Sequence, residues 1–346
     1  MKKKIIAMLA VAFMTAPAFS QENSKTEVIR KSGEYTFDLN KNVTRKKVEF
    51  TNRYGITLVG DLYVPKEGGD GLPGLAISGP FGAVKEQSSG LYANEMASRG
   101  YVVLAFDPSY TGESGGEPRN IASSDINTED FSAAIDFLGL QKNVDREKVG
   151  IIGICGFGGF ALNATAVDKR VKAVVTTSMY DIPRAASKGY YDVVTLKQRT
   201  EMLNQMSQQR WIDAEAGTPA YGHGPNPDSL TGNEPQFVKD YYDYYKTSRG
   251  FHENSINSNQ AWALTSGFSL MNMPILTYIK EISPRPVLII AGENAHSKYF
   301  SEDAYAAAAE PKELVIIPGK VHTDLYDQLD VIPFEKLDTF FTENLK

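Results

Sequence analysis

Short apolar runs alternate with helical stretches along most of this chain, and this alternation constrains the fold more than any other feature. The runs are rich in Val and Ile, and Gly or polar residues lie between one run and the next. Continuous apolar strands separated by helices indicate a parallel sheet that is covered on both faces. We predict strands at residues 74–78, 101–106, 149–154, 171–177, 286–291 and 313–317, and helices at 87–99, 128–140, 160–167, 301–309 and 333–345. An antiparallel hairpin, formed by residues 47–50 and 58–63, precedes this series.

The alternation stops between residues 182 and 282, where the chain becomes polar, aromatic and rich in Gln, Asn and Tyr. We therefore predict an α/β core formed by residues 47–181 and 283–346, with residues 182–282 inserted between two strands. Open α/β sheets bind ligands at the carboxyl ends of their strands, so the insertion is expected to form a lid there. A packing or oligomerisation element is the alternative. Residues 21–46 are predicted to form a polar N-terminal segment.

The first 20 residues have the pattern of a secretory signal. Lys2, Lys3 and Lys4 precede an apolar run at residues 5–13, and a small-residue cleavage site, Ala18-Phe19-Ser20, follows. A membrane span would need about 20 consecutive apolar residues, so we expect a periplasmic or secreted bacterial protein with no membrane span. The formal net charge is −6, and no basic block lies outside the signal, which argues against binding to nucleic acid or to an anionic membrane surface.

The chain contains a single cysteine, Cys155, so an internal disulfide is excluded. A buried thiol that acts as a small apolar side chain is one interpretation. However, Cys155 lies where an apolar strand ends in a glycine-rich turn that opens a helix, and Gly153 and Gly156 leave room for a strained nucleophile there. The amides at a helix N-terminus lower the pKa of a thiol and favour the thiolate. A phosphate cradle is a weaker alternative because the Lys-Ser/Thr pair of a P-loop is absent.

This turn resembles the nucleophile elbow of the α/β-hydrolase superfamily, and in particular its dienelactone hydrolase-like branch, where cysteine replaces serine. The usual motif is Gly-x-nucleophile-x-Gly, and the fifth position here is Phe157. Gly158 is expected to provide the close approach of helix and strand one residue later. The resemblance runs from about Lys47 and implies an α/β-hydrolase fold, with a mostly parallel central sheet, helices on both faces and a helical, aromatic-rich lid.

The same resemblance suggests an oxyanion hole and a general base. The loop Gly79-Pro80-Phe81-Gly82 follows the first parallel strand and resembles the loop that donates one oxyanion amide, which we assign to Phe81, with Gly156 donating the other. In this superfamily the order along the chain is nucleophile, acid, histidine. His322 follows the last predicted strand, whereas the other three histidines lie elsewhere, so His322 is the predicted base.

The resemblance does not supply the acid of the triad, because Ala295 occupies the position where the family commonly has Asp. Glu293 is the nearest carboxylate on that loop, and Asp181 is the second candidate. Glu86 follows the oxyanion loop and resembles a glutamate that gates the thiol in dienelactone hydrolases, although an acid at a helix N-terminus is the alternative. His296 is a candidate for contact with the substrate.

These residues predict an exported hydrolase that cleaves a small-molecule ester, thioester or lactone through a Cys-His acyl-enzyme mechanism. No cofactor is expected, and no metal site is expected, because the four histidines are dispersed and no His-Glu-x-x-His motif or paired cysteines occur. Two other classes remain open. One is a non-catalytic protein of the hydrolase fold that binds a ligand, and the other is a redox or thiol-sensing protein.

Overall fold

The computed structural model describes residues 34–346, so the predicted signal at residues 1–20 lies outside the described residues. Eight strands form one sheet in the order β1-β2-β4-β3-β5-β6-β7-β8. Strand β2 is antiparallel to both of its neighbours, and the pairs from β4 to β8 are parallel. The strands are β1 Val43–Thr51, β2 Thr57–Pro65, β3 Leu72–Ser78, β4 Val102–Phe106, β5 Val144–Ile154, β6 Ala173–Thr177, β7 Val287–Gly292 and β8 Lys312–Ile317.

The predicted hairpin is confirmed, and it extends further than the pattern indicated. Val43 pairs with Pro65 at one end and Thr51 pairs with Thr57 at the other. The sheet thus begins at Val43, ahead of the predicted core boundary at residue 47. Asn52 closes the turn, because its side-chain oxygen accepts hydrogen bonds from the amides of Tyr54 and Ile56, each at 3.0 Å.

Helices lie between the parallel strands, as the alternation predicted. Every residue of β4, β6 and β7 is buried, which is why these strands have continuous apolar sequences and no alternation of polar and apolar residues. The helices are α1 Ser88–Ala97, α2 Ser124–Gly139, α3 Gly156–Val167, α4 Ile182–Lys188, α5 Leu196–Ala216, α6 Gln236–Tyr245, α7 Ile256–Asn259, α8 Gly267–Asn272, α9 Lys298–Ala307, α10 Asp324–Asp327 and α11 Phe334–Asn344. The protein therefore has an α/β-hydrolase fold.

The segment between β6 and β7 is helical and contains α4 to α8, together with short 3₁₀ turns. Helix α4 packs against α8, whereas α5 is mostly exposed and buries only Met206. Helix α6 buries Tyr244 and Tyr245 among the aromatic residues that surround the end of the sheet. Within residues 34–346, no helix is both long enough and apolar enough to cross a bilayer.

Candidate active site

Cys155 lies at the junction of β5 and α3 in a conformation that is rare for a residue with a side chain, with φ 55° and ψ −126°. Backbone hydrogen bonds hold this strained turn in place. The Cys155 amide donates to the Thr177 carbonyl at 2.9 Å, and the Cys155 carbonyl accepts from the amides of Gly158 and Tyr180, also at 2.9 Å. Strain of this kind persists only where the surroundings fix it, and it is typical of functional sites.

Glycines allow the elbow to be this tight. A Cβ at Gly153 would lie 2.3 Å from the Phe157 carbonyl oxygen, and a Cβ at Gly158 would lie 2.6 Å from the Met179 Cβ. Gly158 therefore provides the close approach that the unusual Phe at position 157 does not. The Phe157 side chain turns into the core and packs edge-on against Phe160, with ring centroids 5.3 Å apart.

The loop after β3 lies directly beside the elbow. A Cβ at Gly79 would be 2.2 Å from the Ile154 carbonyl oxygen, and one at Gly156 would be 2.6 Å from the Phe81 Cβ. The amides of Gly156 and Phe81 both lie near the Cys155 thiol and favour its thiolate form. Both predicted oxyanion donors thus face the region beside the sulfur, where a carbonyl attacked by that sulfur would place its oxygen.

The insertion holds this loop in position. The Asn257 side-chain amide donates to the Phe81 carbonyl at 2.8 Å, and the Ser255 hydroxyl donates to the Gly82 carbonyl at 2.9 Å. The Phe81 ring stacks on Trp262 with centroids 4.4 Å apart. Because Ser255, Asn257 and Trp262 all belong to residues 182–282, the insertion supports the oxyanion loop as well as covering it.

His322 lies after β8 in the interior, with 1% of its surface exposed. Its Nδ1 is 2.6 Å from the Ser297 hydroxyl and its Nε2 is 2.9 Å from the Tyr326 hydroxyl. The Ser178 hydroxyl donates to the His322 carbonyl at 3.0 Å, which fixes the backbone at this point. The Tyr326 hydroxyl also neighbours the Cys155 thiol, so the phenol lies between sulfur and imidazole.

Neither predicted acid, Glu293 or Asp181, hydrogen-bonds to the His322 imidazole, and this corrects the expectation for the acid of the triad. The Glu293 side chain is exposed and accepts a hydrogen bond from the Gly319 amide at 2.8 Å. The Asp181 carboxylate caps α4 by accepting from the Arg184 amide at 3.0 Å. Each acid therefore stabilises a local turn, and the hydroxyl of Ser297 occupies the place of the acid.

The expected contact between Glu86 and Cys155 is also corrected, because the Glu86 carboxylate pairs with Lys85. The Lys85 ammonium is fully buried and lies 2.6 Å from Glu86, 3.1 Å from Asp107 and 2.5 Å from Glu113. Burial and then the nearby Asp107 charge raise the pKa of Glu86 to about 7, although Lys85 opposes both effects. This ionic cluster braces the start of α1, below the oxyanion loop.

The protonation states differ from the thiolate expected at a helix N-terminus. Burial raises the pKa of Cys155 to about 11, because the neighbouring Tyr326 hydroxyl and the amides of Gly156 and Phe81 favour the thiolate too weakly to offset it. Burial, together with the nearby His296, lowers the pKa of His322 well below its usual value. The resting pair is consequently a neutral thiol and a neutral imidazole.

Cys155 is 7% exposed and opens into a cavity of about 210 Å³ between the sheet and the insertion. The cavity lining is mainly apolar and aromatic and includes no Lys, Arg, Asp or Glu among the described residues. The aromatic side chains in the lining include Phe81, Tyr180, Tyr190, Tyr241, Tyr245 and Trp262. Such a cavity can accommodate an uncharged acyl group against the sulfur.

His296 lies behind this lining, next to the imidazole of His322. Its Nε2 hydrogen-bonds to the Tyr180 hydroxyl and is 3.5 Å from the Tyr241 hydroxyl, and its ring stacks on Phe237 at 4.7 Å. Burial lowers the pKa of His296 to about 3, so it remains neutral. His296 therefore orients two phenols of the cavity wall and lies behind them.

Two residues at this site, Ser297 and Tyr326, were not found by sequence reasoning. Tyr326 follows His322 by four residues, a spacing that places two side chains on one face of a helical turn and was available in the sequence. Ser297 had no comparable signal, because a serine before a helix is an ordinary N-cap residue. No group of three or more potential metal ligands occurs within residues 34–346.

Fold and elbow together define the protein as a hydrolase of the α/β-hydrolase superfamily. Residues 54–323 match the X-Pro dipeptidyl-peptidase (S15) family. The chain belongs to that family.

The chain is similar to known proteins over most of its length. It is 67% identical over 311 residues to the uncharacterized protein PA2218 of Pseudomonas aeruginosa, covering 90% of this chain and 83% of the relative. The crystal structure of that hypothetical protein superposes with a TM-score of 0.88 over 92% of this chain and all of the other.

Two fungal proteins are more distant relatives. The thiohydrolase aneE of Aspergillus aculeatus is 27% identical over 298 residues, which is 83% of this chain and 89% of the relative. The crystal structure of the α/β hydrolase GrgF from Penicillium has a TM-score of 0.73 at 24% identity, and the alignment covers 87% of this chain and 99% of GrgF. The likeness to GrgF concerns the fold.

Proposed function

We propose that this protein is a cysteine-dependent acyl hydrolase that cleaves an uncharged ester, thioester or lactone of a small molecule. One observation carries the proposal: Cys155 has a strained backbone, its side chain opens into the cavity, and two backbone amides lie near its sulfur. A strained elbow with two converging amides is what acyl transfer requires. The cysteine in the elbow also favours a function like that of the dienelactone hydrolase-like branch.

In the proposed reaction, the Cys155 sulfur attacks the acyl carbonyl while the thiol proton leaves toward His322. The carbonyl oxygen becomes an oxyanion, which the Gly156 and Phe81 amides stabilise. The tetrahedral intermediate collapses, the leaving group departs with the proton, and an acyl-cysteine remains. Water then attacks the acyl-cysteine, gives its proton to His322 and releases the acid, and the thiol regains its proton.

The chemistry of the cavity restricts the substrate. A dipeptidyl-peptidase substrate has a protonated amino terminus, but no carboxylate is among the residues that line this cavity. Placing an ammonium group there without a partner would carry a large desolvation cost. Aromatic walls and the thiohydrolase activity named for aneE favour an uncharged acyl thioester or ester.

The test is turnover of 4-nitrophenyl acetate, a neutral acyl thioester and a small lactone by the purified protein. Cys155→Ala should abolish turnover, and intact-protein mass spectrometry of the wild type should detect an acyl adduct on Cys155. Lys188→Ala, a change on the surface of α4, is the matched control and should leave turnover unchanged. If Cys155→Ala retains the wild-type rate on every substrate, the protein is better described as a ligand-binding member of the fold. Reversible oxidation of Cys155 with no acyl adduct would indicate a thiol sensor.

We also propose export to the periplasm or the medium, on the strength of the lysines and apolar run at residues 1–20. The test is cell fractionation of the full-length protein together with N-terminal sequencing of the mature form. Cleavage near residue 20 is the expected result. A protein found in the cytoplasm with its first residues intact would contradict the proposal.

A further inference from the structure

The hydroxyl of Tyr326 lies between the candidate nucleophile and the candidate base. It is 2.9 Å from Nε2 of His322 and lies next to the Cys155 thiol, with which it shares the cavity wall. Tyr326 is fully buried, and its ring is held edge-on by Tyr244 at 5.0 Å and by the imidazole at 5.3 Å. These neighbours restrict rotation of the Tyr326 side chain and hold its hydroxyl between Cys155 and His322.

The cavity wall agrees with this arrangement. Within residues 34–346, the side chains that line the cavity include Cys155 and Tyr326, whereas His322 is not among them. A substrate seated against the sulfur thus meets the phenol hydroxyl first, with the imidazole behind it. Tyr326 therefore lies on a direct path for a proton between the substrate and His322.

We propose that Tyr326 carries protons between Cys155 and His322, so that the imidazole acts on the thiol and on the leaving group only through the phenol. This inference rests on the proposed acyl-transfer function. It adds a catalytic residue that neither the elbow motif nor the position of the histidine reveals. The sequence places the two residues four apart, and the structure shows that the sulfur is the third member of the line.

The transfer balances at each step. During attack, the S–H bond of Cys155 breaks and its proton bonds to the Tyr326 oxygen, while the original phenol proton bonds to Nε2 of His322. The new S–C bond forms, and the carbonyl π electrons become the oxyanion. On collapse, the bond from carbon to the leaving group breaks, the leaving group takes the phenol proton, and the phenol recovers a proton from Nε2. No charge is left on Tyr326 at either stage.

Ser297 determines which nitrogen of His322 can accept a proton from Tyr326. For Nε2 to accept a proton from the phenol, the neutral imidazole must carry its own proton on Nδ1, and the Ser297 hydroxyl 2.6 Å away is the acceptor for it. Burial raises the pKa of Tyr326 well above its usual value, so a free tyrosinate is unfavourable. The two protons consequently have to move together.

A double-mutant cycle of Tyr326→Phe and His322→Ala tests the proposal. Single-turnover acylation by 4-nitrophenyl acetate should fall about 100-fold or more in Tyr326→Phe, which is the range of general acid–base catalysis. His322→Ala should fall by a similar factor, and the double variant should lose little more, since both act along one path. Tyr63→Phe removes a buried phenol oxygen from β2, away from the site, and should keep the wild-type rate.

If Tyr326→Phe keeps the wild-type acylation rate, or if the two losses multiply in the double variant, the relay is overturned. The proton inventory of the wild type in H₂O/D₂O mixtures needs no variant. A curved dependence supports two protons in motion, and a linear one contradicts it. If the Tyr326 hydroxyl had only a structural role, it would transfer no proton during the reaction and the dependence would not be curved.

Alkylation of Cys155 by iodoacetamide separates this proposal from the proposed function, because it needs no substrate turnover. The sulfur displaces iodide and its proton moves along the same path. Tyr326→Phe should slow alkylation near neutral pH as much as His322→Ala does, and an unchanged rate would overturn the relay. If the wild type alkylates rapidly and the two variants slowly, yet no ester, thioester or lactone is cleaved, the relay is supported and the proposed function fails.

Discussion

Replacing Ser297 by Ala removes the only hydrogen-bond partner found for Nδ1 of His322 within the described residues, a hydroxyl 2.6 Å away. In a serine protease triad the partner at this position is a charged carboxylate, and neutralising it lowers kcat by about 10⁴ because the imidazole adopts the wrong tautomer. Here the partner is neutral. The interaction should therefore contribute far less, and its loss should be correspondingly mild.

The magnitude follows from the type of bond. A hydrogen bond between neutral groups contributes about 0.5–1.5 kcal/mol, and about 1.4 kcal/mol corresponds to a factor of ten in rate. We expect kcat/KM of Ser297→Ala to fall roughly two- to tenfold. Because Ser297 is buried, the unpaired Nδ1 should also lower the free energy of unfolding by about 1–3 kcal/mol.

The assay is kcat/KM for 4-nitrophenyl acetate, with urea unfolding of each variant. Glu293→Gln and Asp181→Asn are the matched controls, since each removes a carboxylate but keeps an acceptor for the amide that it binds. Both should stay within about twofold of the wild type. A loss of about 10³ in either control, with Ser297→Ala unaffected, would refute the assignment and restore a carboxylate as the orienting group.

Three further predictions concern the oxyanion hole, the protonation states and the ionic cluster. Gly156→Ala should fold but lower kcat about 10²-fold or more, since its Cβ would lie 2.6 Å from Phe81 and displace one donor; a crystal structure with the loop unmoved and full activity would contradict this. The pKa of Cys155 is raised to about 11 and the pKa of His322 is lowered, so both groups stay neutral at pH values between these two pKa values. We therefore expect kcat/KM to be constant from pH 6 to 9. A fall in kcat/KM below pH 6.5 would show that His322 titrates like an ordinary histidine. Lys85→Met leaves buried carboxylates unpaired and should lower the free energy of unfolding in urea by about 3–5 kcal/mol, and a change under 1 kcal/mol would show that the ion pairs do not stabilise the fold.

The fold was predictable because its signal is local and repeated. Strands β4, β6 and β7 are buried on both faces, so their sequences are almost continuously apolar. This pattern follows from burial and does not depend on which side chains contact one another. The boundaries were less certain. Strand β5 begins at Val144, ahead of the predicted start at residue 149, because its first residues are polar and lie at the exposed end of the sheet.

The elbow, the oxyanion loop and His322 were each placed by their position relative to a strand, and the structure brings them to one end of the sheet. The orienting group was not predictable in this way. Its identity depends on which side chain reaches Nδ1 across a gap of a few ångströms, and Ser297 and Glu293 are only four residues apart on the same loop. The thiol pKa was also wrong in direction, because sequence shows the helix N-terminus but not the aromatic residues that bury the sulfur.

Burial explains why this site can work with a serine in place of an acid. A carboxylate next to His322 would be an additional charge in an interior where burial already depresses the pKa of two histidines, and it would require its own partners. A thiol is a stronger acid than an alcohol, so less assistance is needed to remove its proton. With a neutral thiol, a neutral phenol and a neutral imidazole in line, the proposed attack creates a negative charge on the substrate oxygen, where the Gly156 and Phe81 amides stand, and a positive charge on the imidazole that receives the proton. In their resting state the cavity and the proposed catalytic groups are thus uncharged for the same reason, which fits the uncharged acyl group proposed as substrate, since such a group can be enclosed without a large desolvation penalty.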